Sequence, residues 1–210
     1  MKSNKKYVAL TFDDGPQETN IRLLKILKEK NAKATFFMIG EKMKQRADIV
    51  QQAIIDGHDI GWHTYDHKLN AFAEKPEVDL DIDKAQKIMD EINPDYRISL
   101  FRPPAGNITN ALVHSADEHG MKVILWSNYS FIDDDNIELS AKERAENTFT
   151  AYFGIRDGEV ILIHPRDNND IIEGIGILID RLKNENYEVV SVSELFKIKN
   201  GGIPVYYYFL

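Results

Sequence analysis

The residues of this chain best suited to chemistry are Asp13, Asp14, His63, His67, Arg102 and His164. The two acids lie in Thr11-Phe12-Asp13-Asp14-Gly15-Pro16, after the apolar run Tyr7-Val8-Ala9-Leu10 and before a helical pattern from Thr19. They fall where a strand stops, with Gly15 and Pro16 turning the chain. Neighbouring strand side chains point to opposite faces, so one acid can bind a cation while the other accepts a proton. A plain surface turn is the competing reading, because Asp favours turns anyway. His63-Thr64-Tyr65-Asp66-His67 sets two imidazoles four residues apart. On a helical turn that spacing puts both on one face, within reach of one ion. Thr64 stands where a zincin has Glu, so this is not that motif. With no Cys in the chain, a third ligand has to be His, Asp or Glu, and Asp14 is the best placed. Two His and one carboxylate leave a coordination position open for water, as a hydrolytic site needs. The alternative is two solubilising loop histidines.

Phe101-Arg102-Pro103-Pro104-Ala105-Gly106 reads as a rigid turn after a strand. Arg102 can hold a carboxylate through a bidentate contact, and the Ala105 amide is the first donor after the proline pair. Ile161-Leu162-Ile163-His164-Pro165 brings a histidine to the end of a buried strand.

The elements that must position these groups alternate. Apolar, β-rich runs occur at Tyr7–Phe12, Ala34–Ile39, His58–His63, Ser99–Arg102, Lys122–Trp126, Glu159–His164 and Tyr187–Val192. Helical patterns lie between them, from Thr19 and over Glu41–Asp56, Glu77–Ile92, Asn110–His119, Ser140–Phe153, Asp170–Glu185 and Ser193–Ile198. Such alternation means βαβ crossovers and a mainly parallel sheet. The chemical residues collect at the C-terminal ends of the strands, the rim where a parallel barrel assembles its site. No linker or repeat divides the chain, so 1–210 reads as a single domain, with 200–210 an apolar strap packed on it.

Composition narrows the partners. With 43% hydrophobic and 29% charged residues the chain is globular, and 210 residues suffice for one core. A net charge of −8 argues against nucleic acid, whose phosphates demand a basic face. No run approaches the ~20 apolar residues of a membrane span. Met1–Lys6 is charged but no apolar core follows, so no signal peptide is expected. The chain is then either cytosolic or a domain trimmed from an exported protein. A monomer is expected.

Taken together these segments resemble the polysaccharide deacetylases with the NodB-homology domain, carbohydrate esterase family four. Thr11–Pro16 matches the first family motif and His63–His67 the second. Arg102–Gly106 matches the third, with Ala105 in place of the usual Tyr, and Leu162–His164 matches the last. The resemblance implies a deformed, partly open (β/α) barrel of about seven units. It also implies a divalent metal, Zn2+ or another such as Co2+, and removal of acetyl groups from sugars. Asp13 becomes the general base, Asp14, His63 and His67 the metal ligands, Arg102 the residue that orients Asp13, and His164 the general acid. Ala105, Pro104 and Trp126 would meet substrate, the Ala105 N–H facing the developing oxyanion. Losing the Tyr ring at Ala105 puts the tightness of the acetyl pocket in question.

The fourth motif departs most. The family shows Trp, an acid six residues on, then a second Trp. Here the first acid, Asp133, follows Trp126 by seven residues, and strict alignment gives Ile132. Asp133 is preferred, paired with His164 and raising its pKa. Asp134 replaces the second Trp, and Trp62 replaces an Asn common before the first metal histidine. His58 reads as a support for its strand. His114, Glu118 and His119 read as surface pairs, and Asp79, Asp81 and Asp83 as the N-terminal charge bias of a helix. The resemblance favours an N-deacetylase acting on peptidoglycan or chitin-like N-acetylglucosamine at the cell envelope or outside the cell. An O-acetyl esterase on acetylated xylan and a catalytically impaired glycan-binding homologue are the alternatives.

Overall fold

In the computed structural model, residues 5–69, 72–134, 138–151 and 154–200 are described. The strap expected at 200–210 lies outside them beyond its first residue. The long first strand, β1 (Lys6–Gly15), anchors the sheet. It pairs in parallel with β2 (Thr35–Met38), β7 (Val160–Ile163) and β8 (Tyr187–Val190). β2 leads outward through β3 (Asp59–Trp62) and β4 (Leu100–Phe101) to β5 (Lys122–Val123), and β7 leads to β6 (Asn128–Tyr129). Every pairing is parallel, and the sheet curls into a half-barrel clad in helices.

Strand alternation sorts the core into two sides. Val8, Leu10 and Phe12 pack with the helices α1 (Glu18–Glu29), α4 (Lys75–Ile92) and α7 (Asn169–Asn184). Ala9 instead joins Phe37, Leu100, Ile124, Val160 and Val190, a smaller cluster closed by Leu195 and Phe196 of α8 (Val192–Asn200). Thr11 and Asp13 continue the Ala9 side by the period of two, so Asp13 is carried inward, 2% exposed.

Three local expectations are corrected. The helix expected over Glu41–Asp56 is two, α2 (Gly40–Gln45) and α3 (Ala47–Ile55), broken at Arg46 with φ −130° and ψ 50°. Met43, Ile49 and Val50 are buried on both sides of the break, so hydrophobic period does not reveal it. The strand expected over Lys122–Trp126 pairs only at Lys122–Val123, and an eighth strand forms at Asn128–Tyr129. Two features accompany the break: Pro103 and Pro104, which follow β4, have no N–H to extend the ladder, and Arg102 takes the next acceptors. Its guanidinium donates to the carbonyls of Ile124 (3.0 Å) and Leu125 (2.7 Å), so a side chain takes the acceptors a neighbouring strand would have used. Finally, His63–His67 is a bend and not a helical turn. Thr64 and His67 have φ 66° and 61°, left-handed values that no α-helix contains.

The remaining helices, α5 (Asn110–Glu118) and α6 (Ala141–Thr150), start at side-chain caps. Thr109 accepts from Leu112 N–H, and Ser140 exchanges bonds with Glu143.

Candidate metal and acid-base site

Asp13 points inward on the alternation of β1, and the bulge that follows between Asp13 and Gly15 leaves Asp14 at the rim with φ 69°. Arg102, fully buried after β4, donates from one terminal nitrogen to Asp13 Oδ1 at 2.8 Å and to Thr11 Oγ1 at 2.7 Å. The contact with Asp13 is therefore single and not the bidentate one expected. The remaining donors go to Ile124 and Leu125, while the Phe37 ring lies 4.0 Å from the guanidinium carbon. Burial pushes the guanidinium pKa down and the adjacent Asp13 charge pushes it back up. Arg102 thus fixes Asp13 and ties β1 to the segment after β5.

Asp14, His63 and His67 converge: one donor atom from each lies within 4.8 Å of the others. Asp14 Oδ1 is 3.5 Å from His63 Nε2 and 3.4 Å from His67 Nε2, and the rings are 5.0 Å apart. Those separations exceed a hydrogen bond, and buried Asp14 Oδ1 has no hydrogen-bond partner. The His63 Nδ1–H donates to the Arg102 carbonyl at 2.6 Å, which leaves Nε2 as the lone-pair nitrogen facing Asp14. Burial alone would raise the Asp14 carboxyl, but His63 beside it, with His164 and His67, holds it at about 2. Burial lowers the His67 pKa, against the pull of Asp14. Two imidazole nitrogens and a carboxylate oxygen, with an orphaned acceptor among them, form a donor set that fits a divalent metal ion.

On the other side His164, at the end of β7, receives Asp133. The Asp133 Oδ2 accepts the His164 ring Nδ1–H at 2.7 Å and its backbone N–H at 2.8 Å. That hydrogen bond raises the imidazole pKa despite burial. The rival residue Ile132 is fully buried in the core. An open cleft of about 410 Å³ is lined by Asp13, Asp14 and His164, with Gln17 and Lys42 at its edge. Lys42 donates to the Asp14 carbonyl at 2.8 Å.

The proline turn forms a short 3-10 segment, Pro104–Gly106, with Pro104 buried and Ala105 exposed at φ 54°. The Gly106 and Asn107 amides bond the Pro103 and Pro104 carbonyls, and the Ala105 N–H has no acceptor among the described residues. Trp126 is half-buried, stacked edge-on to Tyr129 at 5.4 Å and packed so close to Gly106 that a Cβ there would come within 2.9 Å of the indole. His58 accepts the Ala34 N–H at 3.2 Å, a structural role, and His114 pairs with Glu118 on the surface.

Two contributors escaped the sequence reading. Thr11 shares the Arg102 nitrogen with Asp13. Asp81 is buried on α4 and accepts from Trp62 Nε1 (2.7 Å) and Tyr65 N–H (2.9 Å). Its signal was position, because Asp81 sits in the apolar stripe of Val78, Ile82 and Ala85 and not on a solvated face.

A family model described as polysaccharide deacetylase matches residues 1–124. The chain is 30% identical to a peptidoglycan-N-acetylglucosamine deacetylase of Bacillus cereus, over 94% of this chain and 92% of that protein. It is 32% identical to a bifunctional xylanase/deacetylase of Pseudobutyrivibrio xylanivorans, over 97% of this chain and 33% of that longer protein. Among solved structures, a family 4 acetyl xylan esterase from Clostridium thermocellum, in complex with a cobalt ion, is similar with a TM-score of 0.83 at 28% identity, covering 94% of each chain.

Proposed function

The chain belongs to the polysaccharide deacetylase family, and from that membership we propose that it is a metal-dependent hydrolase removing acetyl groups from N-acetylated glycans, peptidoglycan or chitin-like N-acetylglucosamine. One observation carries the reading: a proton acceptor and a proton donor, Asp13 and His164, line the same cleft as the orphaned carboxylate of Asp14.

A divalent cation held by Asp14, His63 and His67 would supply Lewis acidity toward water and the acetyl carbonyl. Asp13, fixed through Oδ1 by Arg102, keeps Oδ2 available and accepts the proton of the attacking water. The Ala105 N–H donates to the carbonyl oxygen as it gains charge. His164 gives its proton to the departing nitrogen, which leaves poorly as an anion. Its link to Asp133 raises the proton affinity of the imidazole. Proline fixes the backbone around Ala105, and Trp126 walls the turn. Asp13, Arg102, Asp133 and His164 make up the proposed proton-handling set.

The likeness to an acetyl xylan esterase favours one second reading, O-acetyl removal. An alcohol leaves without the full help of an acid, so an esterase would tolerate His164→Ala better than an amidase. Acetate release from N-acetylglucosamine oligomers and from acetylxylan, with added Zn2+ or Co2+, separates the two. Asp13→Asn should lower the rate by about 10²–10⁴. No acetate from either substrate would overturn the enzyme reading and leave a glycan-binding homologue. No helix among the described residues is long and apolar enough to cross a membrane. Glycans of this class lie at the cell envelope or outside the cell, which supports action there.

A further inference from the structure

We infer that Asp81 is a positioning residue for cation binding: from α4 it holds, by its two carboxylate oxygens, the strand end and the bend that carry His63 and His67. The inference rests on the reading that Asp14, His63 and His67 hold a divalent cation.

The bend needs such a hold. Thr64 and His67 both lie in the left-handed region, φ 66° and 61°, uncommon for any residue but glycine and an outlier for β-branched Thr64, so surrounding contacts must over-determine the backbone. Two come from α2 on one side and one lies within the bend itself. The Gly40 N–H donates to the Thr64 carbonyl at 3.0 Å, the Glu41 N–H to the Tyr65 carbonyl at 2.8 Å, and the His67 N–H to Thr64 Oγ1 at 3.1 Å. Asp81 closes the other side. Its Oδ2 accepts the Tyr65 N–H in the middle of the bend, and its Oδ1 accepts the indole N–H of Trp62, the residue before His63. Trp62 cannot drift, because it is fully buried and a Cβ on Gly40 would lie 2.2 Å from its ring. The Tyr65 peptide is therefore fastened at both its N–H and its C=O.

Chemistry demands a carboxylate here. Both partners are N–H donors, so both side-chain oxygens must accept. An Asn at 81 would satisfy one and turn an NH2 group on the other. If Trp62 lost its indole N–H, the Asn oxygen could serve Tyr65 without that clash. A purely structural role predicts additive losses instead.

The test measures Zn2+ affinity by chelator competition and the visible absorption of the Co2+ form, with melting temperatures of the metal-free proteins alongside. Asp81→Asn should weaken Zn2+ binding about tenfold and alter the Co2+ spectrum. Asp81→Asn combined with Trp62→Phe should bind more tightly than Asp81→Asn alone. Should Asp81→Asn lower the melting temperature but leave affinity within about twofold and the Co2+ spectrum unchanged, the positioning role is overturned and the site stands. Should the double variant bind no more tightly than the single one, the specific hydrogen-bond argument falls. An unmodified protein that binds neither ion would take down the site reading and this inference together.

Discussion

Asp133 meets His164 twice through one oxygen, at the ring Nδ1 (2.7 Å) and at the backbone N–H (2.8 Å). The carboxylate therefore sets the orientation of the imidazole as well as its proton affinity, and leaves Nε2 as the nitrogen able to exchange a proton with substrate.

The pH profile should register that contact. His164 has a folded-state pKa above its ordinary 6.5, chiefly through Asp133. In its proposed role as general acid it works only while protonated, so acetate release should decline on the alkaline side as pH passes the raised value. Asp133→Asn removes the charge, and the alkaline limb should move to lower pH. The stability this pair adds is fully present below pH 6.5 and disappears as pH rises through the folded value. A variant whose alkaline limb coincides with that of the unmodified enzyme would remove Asp133 from the proton chemistry.

Arg102 and Asp13 form a buried ion pair at 2.8 Å, neither side chain more than 3% exposed. Arg102→Met strands the Asp13 charge and frees the Ile124 and Leu125 carbonyls. Urea unfolding should show a loss of about 3–5 kcal/mol, the usual cost of breaking a buried pair from one side. Arg102→Lys, which keeps the charge but not the fork of donors, should fall between. A loss below about 1 kcal/mol for the Met variant would mean that the pair behaves as a surface salt bridge.

Cation binding should appear as stabilisation. Zn2+ at about a hundred times its Kd adds about 2.7 kcal/mol to the folded state, a shift that a chelator reverses. His63→Ala and His67→Ala should each remove most of it. Affinity should fall at acid pH because both imidazoles must be neutral. Calorimetric melting with and without Zn2+ decides the matter; undiminished shifts in both histidine variants would place the ion elsewhere.

His58 makes a separate prediction, with the opposite sign to His164. Burial, aided by the Lys33 charge, lowers its pKa to about 4. The unfolded chain therefore takes up a proton from about pH 6.5 downward while the folded chain does not. The contribution of His58 should be level above that pH and drop by about 3 kcal/mol on the way to pH 4. His58→Gln retains an acceptor for the Ala34 N–H and should flatten that limb. Equal acid slopes in the two proteins would show that other groups govern it.

Much of the site was legible because it depends on residue type at strand ends. Asp13, Asp14, His63, Arg102 and His164 stand at the C-terminal ends of strands that hydrophobic runs announce, with His67 in the bend that follows one of them, and parallel pairing brings those ends together. For the fourth motif the sequence offered two neighbours; in the structure Ile132 fills the core and the Asp133 carboxylate bonds His164. Asp81 was misread, because an Asp every second residue before a helix resembles end charge until its tertiary partners are seen. The break at Arg46 and the interrupted strand after Val123 were hidden because burial continues through both.

The chain's periodicity alone determined alternating strands and helices, and its motifs determined which acids and imidazoles would gather at the rim. Tertiary structure decided how they are held. Asp14 leaves the alternation that carries Asp13 inward because β1 bulges between Asp13 and Gly15, and the left-handed residues of the His63–His67 bend sit where α2 and Asp81 bond its backbone. Local patterns record which face a residue prefers; they carry no record of hydrogen bonds between groups distant in sequence, and those bonds fix the site's geometry.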